Sequence, residues 1–227
     1  MADIAPAGHR VTVSLPAGAV EVSADSTVPV DAWATIALAH GAGTGYRHPF
    51  LLGFARGMNE LGVATVRFNF PYVEAGRRMP GPAAHAVATW AAIGAFASHV
   101  GGGVPVWAAG KSYGGRMASM AAAEGVIDPS GLIYLGYPLH PPGDPSKARV
   151  AHLPDVVQPQ LFVEGTTDPF IDPHAQLEEA VASCQDAAIA WIKGGGHSFE
   201  VKGAKRSADA IGEELAGLVA TWMRERA

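Results

Sequence analysis

Three residues able to do acyl-transfer chemistry stand in glycine-rich settings along the chain. Ser112 lies in Gly110-Lys111-Ser112-Tyr113-Gly114-Gly115, Asp168 in Gly165-Thr166-Thr167-Asp168-Pro169, and His197 in Gly194-Gly195-Gly196-His197-Ser198-Phe199. A hydroxyl, a carboxylate and an imidazole are the parts of a nucleophile, its general base and the acid that orients the base. In the chemistry they predict, His197 takes the Ser112 proton as the hydroxyl attacks a carbonyl. Asp168 steadies the imidazolium, and water then hydrolyses the acyl-enzyme.

The flanking patterns predict how these residues are positioned. Val104 to Ala109 is an apolar run that reads as a buried strand, and Tyr113 to Glu124 reads as a helix. A G-x-S-x-G sequence between the two is a nucleophile elbow, a sharp strand-to-helix turn that holds a serine hydroxyl in the open. Such a turn costs roughly 1 to 3 kcal/mol of backbone strain. Asp168 follows the Gln160 to Val163 strand in a strand-to-helix loop, on the same sheet edge as Ser112. The competing carboxylates have other settings: Asp172-Pro173 reads as a helix start, Glu164 as a strand end, and Asp144 belongs to a proline-rich loop. His197 follows a last strand, Ala187 to Ile192, through three glycines. A base that must reach a serine explains such a loop better than core packing does. His174 falls on a predicted helix, and His140 precedes two prolines.

Oxyanion donors are expected from a second loop. Trp33 to Ala39 is apolar throughout, as in a parallel strand buried on both faces, and runs into His40-Gly41-Ala42-Gly43-Thr44-Gly45. The amide of Tyr113, the residue after the nucleophile, and that of Ala42 are the candidate donors, with Gly43 as the fallback.

The remaining segments predict one α/β domain over residues 1–227, with a mostly parallel central sheet, helices on both faces and no large lid. Arg10 to Leu15 and Gly18 to Val22 read as an antiparallel edge ribbon. Phe50 to Leu61 reads as a helix stopped by Gly62, Val63 to Phe70 as a buried strand, Ala83 to His99 as a helix, and Leu132 to Leu135 as a strand. Pro71 to Pro82, with Arg77 and Arg78, reads as a solvated loop. Gly136 to Pro159, rich in proline, reads as a compact loop in place of a helical cap. Arg116 is expected on the helix surface or in a structural ion pair, and Met117 and Met120 in the core. Gly43, Tyr46, Tyr72, His140, Phe170 and Phe199 are candidate pocket residues, though each aromatic suits the core equally well.

Composition narrows the functional classes. The net charge of −5, without a block of like charge, argues against nucleic acid or an anionic membrane as partner. The single cysteine, Cys184, permits no internal disulfide and no cysteine-based zinc site. Met1 to Arg10 lacks the pattern of a leader, and no run of 18 or more apolar residues occurs, so a cytoplasmic protein is expected. Gly110-Lys111-Ser112 ends like a phosphate-binding P-loop, but Pro105 occupies the position of that motif's first glycine. No cofactor or metal is expected, and the expected partner is a small-molecule acyl substrate. The alternative is a non-catalytic scaffold of the same fold.

Together, His40-Gly41-Ala42-Gly43, the segment Gly110 to Ala118, Gly136-Tyr137-Pro138-Leu139-His140-Pro141-Pro142-Gly143, Gly165 to Asp168 and Gly196-His197-Ser198-Phe199 resemble a small α/β-hydrolase family. It includes testis-expressed protein 30 and the KAT8 regulatory complex subunit 3 relatives, and is itself similar to dienelactone hydrolases. The resemblance spans Trp33 to Met223. It implies a lid-less α/β-hydrolase fold with its triad on Ser112, Asp168 and His197. It also brings His140 forward, either lining the site or locking its own loop by hydrogen bonds.

Overall fold

The computed structural model describes residues 5–226, so residues 1–4 of the Met1 to Arg10 segment, and residue 227 of the expected domain, lie outside the described residues. Eight strands form a single sheet. They are β1 (Ala7–Leu15), β2 (Gly18–Thr27), β3 (Ala34–Ala39), β4 (Val63–Phe68), β5 (Val106–Lys111), β6 (Leu132–Leu135), β7 (Gln160–Gly165) and β8 (Ala187–Ile192), in the spatial order β1-β2-β4-β3-β5-β6-β7-β8. The first three in that order pair antiparallel, and the rest are parallel.

Helices α1 (Pro49–Glu60), α3 (Ala83–Val100), α4 (Tyr113–Ala123), α5 (His174–Ala182) and α6 (Ala208–Arg224) cover both faces. Phe50, Phe54, Ile211 and Leu215 of α1 and α6 pack on one face, while Trp90, Ile93, Met117 and Leu177 of α3, α4 and α5 pack on the other. The period-two alternation of strand side chains divides β5 between the two cores, with Trp107 and Ala109 on one side and Ala108 on the other. β3, β4, β6 and β7 are buried throughout, which is why their sequences are continuously apolar or nearly so.

α1 and α6 meet backbone to backbone. A Cβ on Gly53 would collide with the Asp209 carbonyl, and one on Gly212 with the Phe50 carbonyl. Only glycine allows the two helices this approach.

Two segments differ in kind from the sequence expectation. The edge ribbon is longer, because β2 runs on to Thr27 and pairs Ala24–Thr27 with β4. That extension sets Asp25 opposite Arg67, whose guanidinium grips the carboxylate at 3.0 and 2.8 Å in the interior. The segment after β4 opens with a one-turn helix, α2 (Pro71–Glu74), since Pro71 supplies a preset helical φ at its first position. β8 is only partly buried because it closes the sheet edge. The Gly136 to Pro159 segment holds two single turns of 3-10 helix, Pro145–Lys147 and Leu153–Asp155, and no helical cap.

Candidate active site

The parallel register brings four strand ends to one edge of the sheet. Ala39 pairs with Gly110, Lys111 with Leu135, and Gly165 with Ile192, so the loops after β3, β5, β7 and β8 converge. These loops carry the residues named above.

Ser112 caps α4 with φ 49° and ψ −115°, a left-handed conformation that non-glycine residues adopt at a cost of about 1 to 3 kcal/mol. The turn is held because α4 lies directly on β3 and β5. A Cβ on Gly114 would stand 2.6 Å from the His40 carbonyl and 2.7 Å from the Ala39 Cβ. The Ser112 amide donates to the Leu135 carbonyl at 3.1 Å, which ties the elbow to β6.

The Ser112 Oγ lies 2.9 Å from Nε2 of His197, and Nδ1 of His197 lies 2.6 Å from Oδ2 of Asp168. With the carboxylate accepting from Nδ1, Nε2 is left to accept the serine proton. Asp168 is fully enclosed, and its Oδ1 accepts the Phe170 amide at 2.8 Å. Thr167 joins the acid loop to the base loop, donating through its amide and its hydroxyl to the Gly195 carbonyl, both at 2.9 Å. Burial holds the His197 imidazole below its usual 6.5, the hydrogen bond to Asp168 opposes this, and the charge of Lys111 adds to the depression. The ring is therefore neutral, as a base must be, at neutral pH.

His40 sets the second loop. The Phe70 amide donates to its Nε2 at 3.2 Å, which leaves the proton on Nδ1 to donate to the Gly41 carbonyl at 2.8 Å. Burial pushes this imidazole down to about 4, so the neutral form is kept. Beyond it, the amides of Ala42 and Tyr113 find no acceptor among the described residues, and both residues line the cavity in front of Ser112. Two open donors beside a candidate nucleophile are placed as a developing oxyanion would require.

That cavity measures about 500 Å³. Gly41, Thr44, His48, Phe50 and Leu51 wall one part, and Tyr113, Arg116, Pro138, Arg149 and Phe170 another. Of the expected pocket residues only Phe170 lines it, and its ring stacks on His197 at 4.1 Å between centroids. The other five are corrected. Phe199 is fully buried and stacks on Phe50, because a φ of 66° turns it back into the core beneath α1. Tyr72 is buried against Phe70 and Tyr113, behind the cavity wall. Tyr46 turns away, its amide donating to Asn69 and its ring under Arg47. His140 is buried, with Nδ1 2.9 Å from the Pro141 carbonyl, so it locks its loop and does not line the site. Gly43 sits outside the lining on an exposed turn, with φ 77°.

Three cationic residues were not assigned to the site by their sequence patterns. Lys111 reaches under the elbow, and its Nζ donates to the His197 carbonyl at 2.7 Å. Burial pulls its ammonium down to about 8, while Asp168, Glu164 and Glu200 pull the other way. Arg116 is half-buried and makes no ion pair among the described residues; it borders the cavity, as Arg149 does. An arginine at i+4 from an elbow serine is a detectable pattern, whereas Arg149 lies in a stretch without periodicity.

A family model described as an alpha/beta hydrolase domain matches residues 32–224. Among solved structures, dienelactone hydrolase from Anabaena variabilis superposes with a TM-score of 0.74 at 23% identity, covering 97% of this chain and 98% of that one. A serine hydrolase without a lid from Xanthomonas campestris gives 0.72 at 20% identity over 98% and 97%. Est1E from Butyrivibrio proteoclasticus, with ferulic acid bound, gives 0.72 at 17% identity over 91% and 95%. At these identities the likeness is one of fold.

Proposed function

From the premise that the chain belongs to the alpha/beta hydrolase domain family, we propose that it is a serine hydrolase of carboxylic esters or thioesters with small to medium acyl groups. The observation that carries this reading is the unbroken contact from Ser112 Oγ through His197 to Asp168.

In the proposed cycle Ser112 attacks the acyl carbon and passes its proton to Nε2 of His197. The amides of Ala42 and Tyr113 hold the oxyanion. The carbon–oxygen or carbon–sulfur bond then breaks, and the leaving group takes the proton from His197. A water molecule gives a proton to the same nitrogen, adds to the acyl carbon and releases a carboxylic acid, restoring the serine hydroxyl. An open cavity without a helical cap fits substrates that need no long acyl tunnel. The resemblance of the Gly136 to Gly143 loop to that of the testis-expressed protein 30 group supports a kinship with that group within the family.

A fluorophosphonate probe tests the reading. Wild-type protein is expected to be labelled, Ser112→Ala not at all, and His197→Ala at a rate lower by at least about a thousandfold. A folded wild-type protein that resists labelling would instead be a scaffold.

A further inference from the structure

Several arginines of this chain find carboxylates, and Arg47, Arg77, Arg78 and Arg224, which do not, are exposed to solvent. Arg10 pairs with Glu74, Arg56 with Glu213, Arg67 with Asp25, and Arg206 with Glu214. Arg116 and Arg149 do not. Neither guanidinium takes part in an ion pair or side-chain hydrogen bond among the described residues, yet both are half-buried and line the cavity that holds Ser112. The Nε of Arg116 is sealed from solvent without an acceptor. Leaving a buried charged donor unsatisfied is costly, and a ligand oxygen would remove that cost.

The backbones of the pair are well fixed. The Arg116 amide donates to the Ser112 carbonyl at 3.1 Å, and Ser119 Oγ donates to the Arg116 carbonyl at 2.8 Å. The Arg149 amide donates to Leu139 at 2.7 Å, and its carbonyl accepts the Tyr137 hydroxyl at 3.1 Å. Burial lowers the proton affinity of Arg116, Tyr137 and Tyr113 oppose this, and the charge of Arg149 lowers it further. Glu200 is the one carboxylate among the described residues that line the cavity, and it acts on Lys111 and His197. In a chain with a net charge of −5, the cavity gathers Lys111, Arg116 and Arg149 against that single acid.

We propose that Arg116 and Arg149 form a carboxylate-binding subsite beside Ser112, so that the preferred substrate is an ester or thioester bearing a free carboxylate. The planar guanidinium fork matches the two oxygens of a carboxylate. The inference rests on the acyl-transfer reading for the identity of the reaction, but not for the identity of the bound group.

The test uses matched pairs of neutral and anionic esters. One pair places the charge in the acyl half, para-nitrophenyl pentanoate against mono-para-nitrophenyl glutarate. The other places it in the leaving half, phenyl pentanoate against para-carboxyphenyl pentanoate. In at least one pair the anionic ester is expected to have a kcat/KM about 10 to 100-fold above its neutral partner, and Arg116→Gln or Arg149→Gln should remove most of that ratio. Arg149 stands on a loop, so its variant keeps the test open if Arg116→Gln fails to fold. Equal rates within both pairs, or a preference that survives both substitutions, would overturn the subsite.

Calorimetric titration of Ser112→Ala with methyl hydrogen glutarate and with methyl pentanoate separates the two levels. If fluorophosphonate labelling fails but only the anionic ester binds, and Arg149→Gln abolishes that binding, the hydrolase reading falls and the subsite stands. If labelling succeeds and the two esters bind alike, the subsite falls and the hydrolase reading stands.

Discussion

The side chain of Lys111 holds the backbone of His197, its Nζ donating to the carbonyl at 2.7 Å across 86 residues of sequence. The residue before the candidate nucleophile thus anchors the loop of its candidate base. Lys111→Met is expected to lower the fluorophosphonate labelling rate by about 10 to 100-fold, the scale of one charge-assisted hydrogen bond. Because the Lys111 charge depresses the His197 imidazole, the same variant should move the acid limb of the pH–rate profile upward. An unmoved profile would indicate that Lys111 contributes only to stability.

Burial holds the His197 imidazole below its ordinary value in the folded chain. The midpoint of the acid limb of the labelling rate should therefore lie below that of a free imidazole, as the candidate base is protonated. Stability follows a related course. His40 and His152 are each lowered from 6.5 to about 4 by burial, so the unfolded chain binds protons in that window that the folded chain refuses. Stability is fully present above 6.5 and is lost as pH falls towards 4. Urea midpoints measured across this range check the sign, and His152→Gln should flatten the slope.

Asp25 and Arg67 join the antiparallel ribbon to the parallel sheet through a buried pair. Asp25→Ala strands the guanidinium in the interior and is expected to cost about 3 to 5 kcal/mol. Equilibrium denaturation reads the loss; the labelling rate under native conditions should change little, because neither residue lines the cavity.

Phe199→Ala removes a fully buried ring that stacks on Phe50, and is expected to cost about 3 to 5 kcal/mol. Since Phe199 follows the candidate base by two residues, its loss should also slow labelling. A variant equally stable but slow would show that the ring only positions the loop.

The sheet, its helices and the three triad candidates were legible because each depends on local pattern. Continuous apolar runs mark β3, β4, β6 and β7, and glycine-rich loops after strands mark the edge where Ser112, Asp168 and His197 meet. What was not legible depends on where the chain goes next. Phe199 looks like a loop aromatic until its positive φ sends it under α1. Arg116 reads as a helix-surface residue because helical spacing does not tell an outer face from a cavity wall. Arg149 lies among prolines, where no period exists to place it. Lys111 resembled part of a phosphate loop, whereas its partner is a carbonyl that only the folded register brings near.

The seam between α1 and α6 also bears on how this chain can vary. Gly53 and Gly212 leave no volume for even a methyl group, so substitutions at either position are closed to neutral drift. α1 follows the loop that carries Ala42, and α6 follows the loop that carries His197. A library meant to widen the cavity by shifting α1 must therefore redesign α6 with it, treating the two helices as a single unit of inheritance.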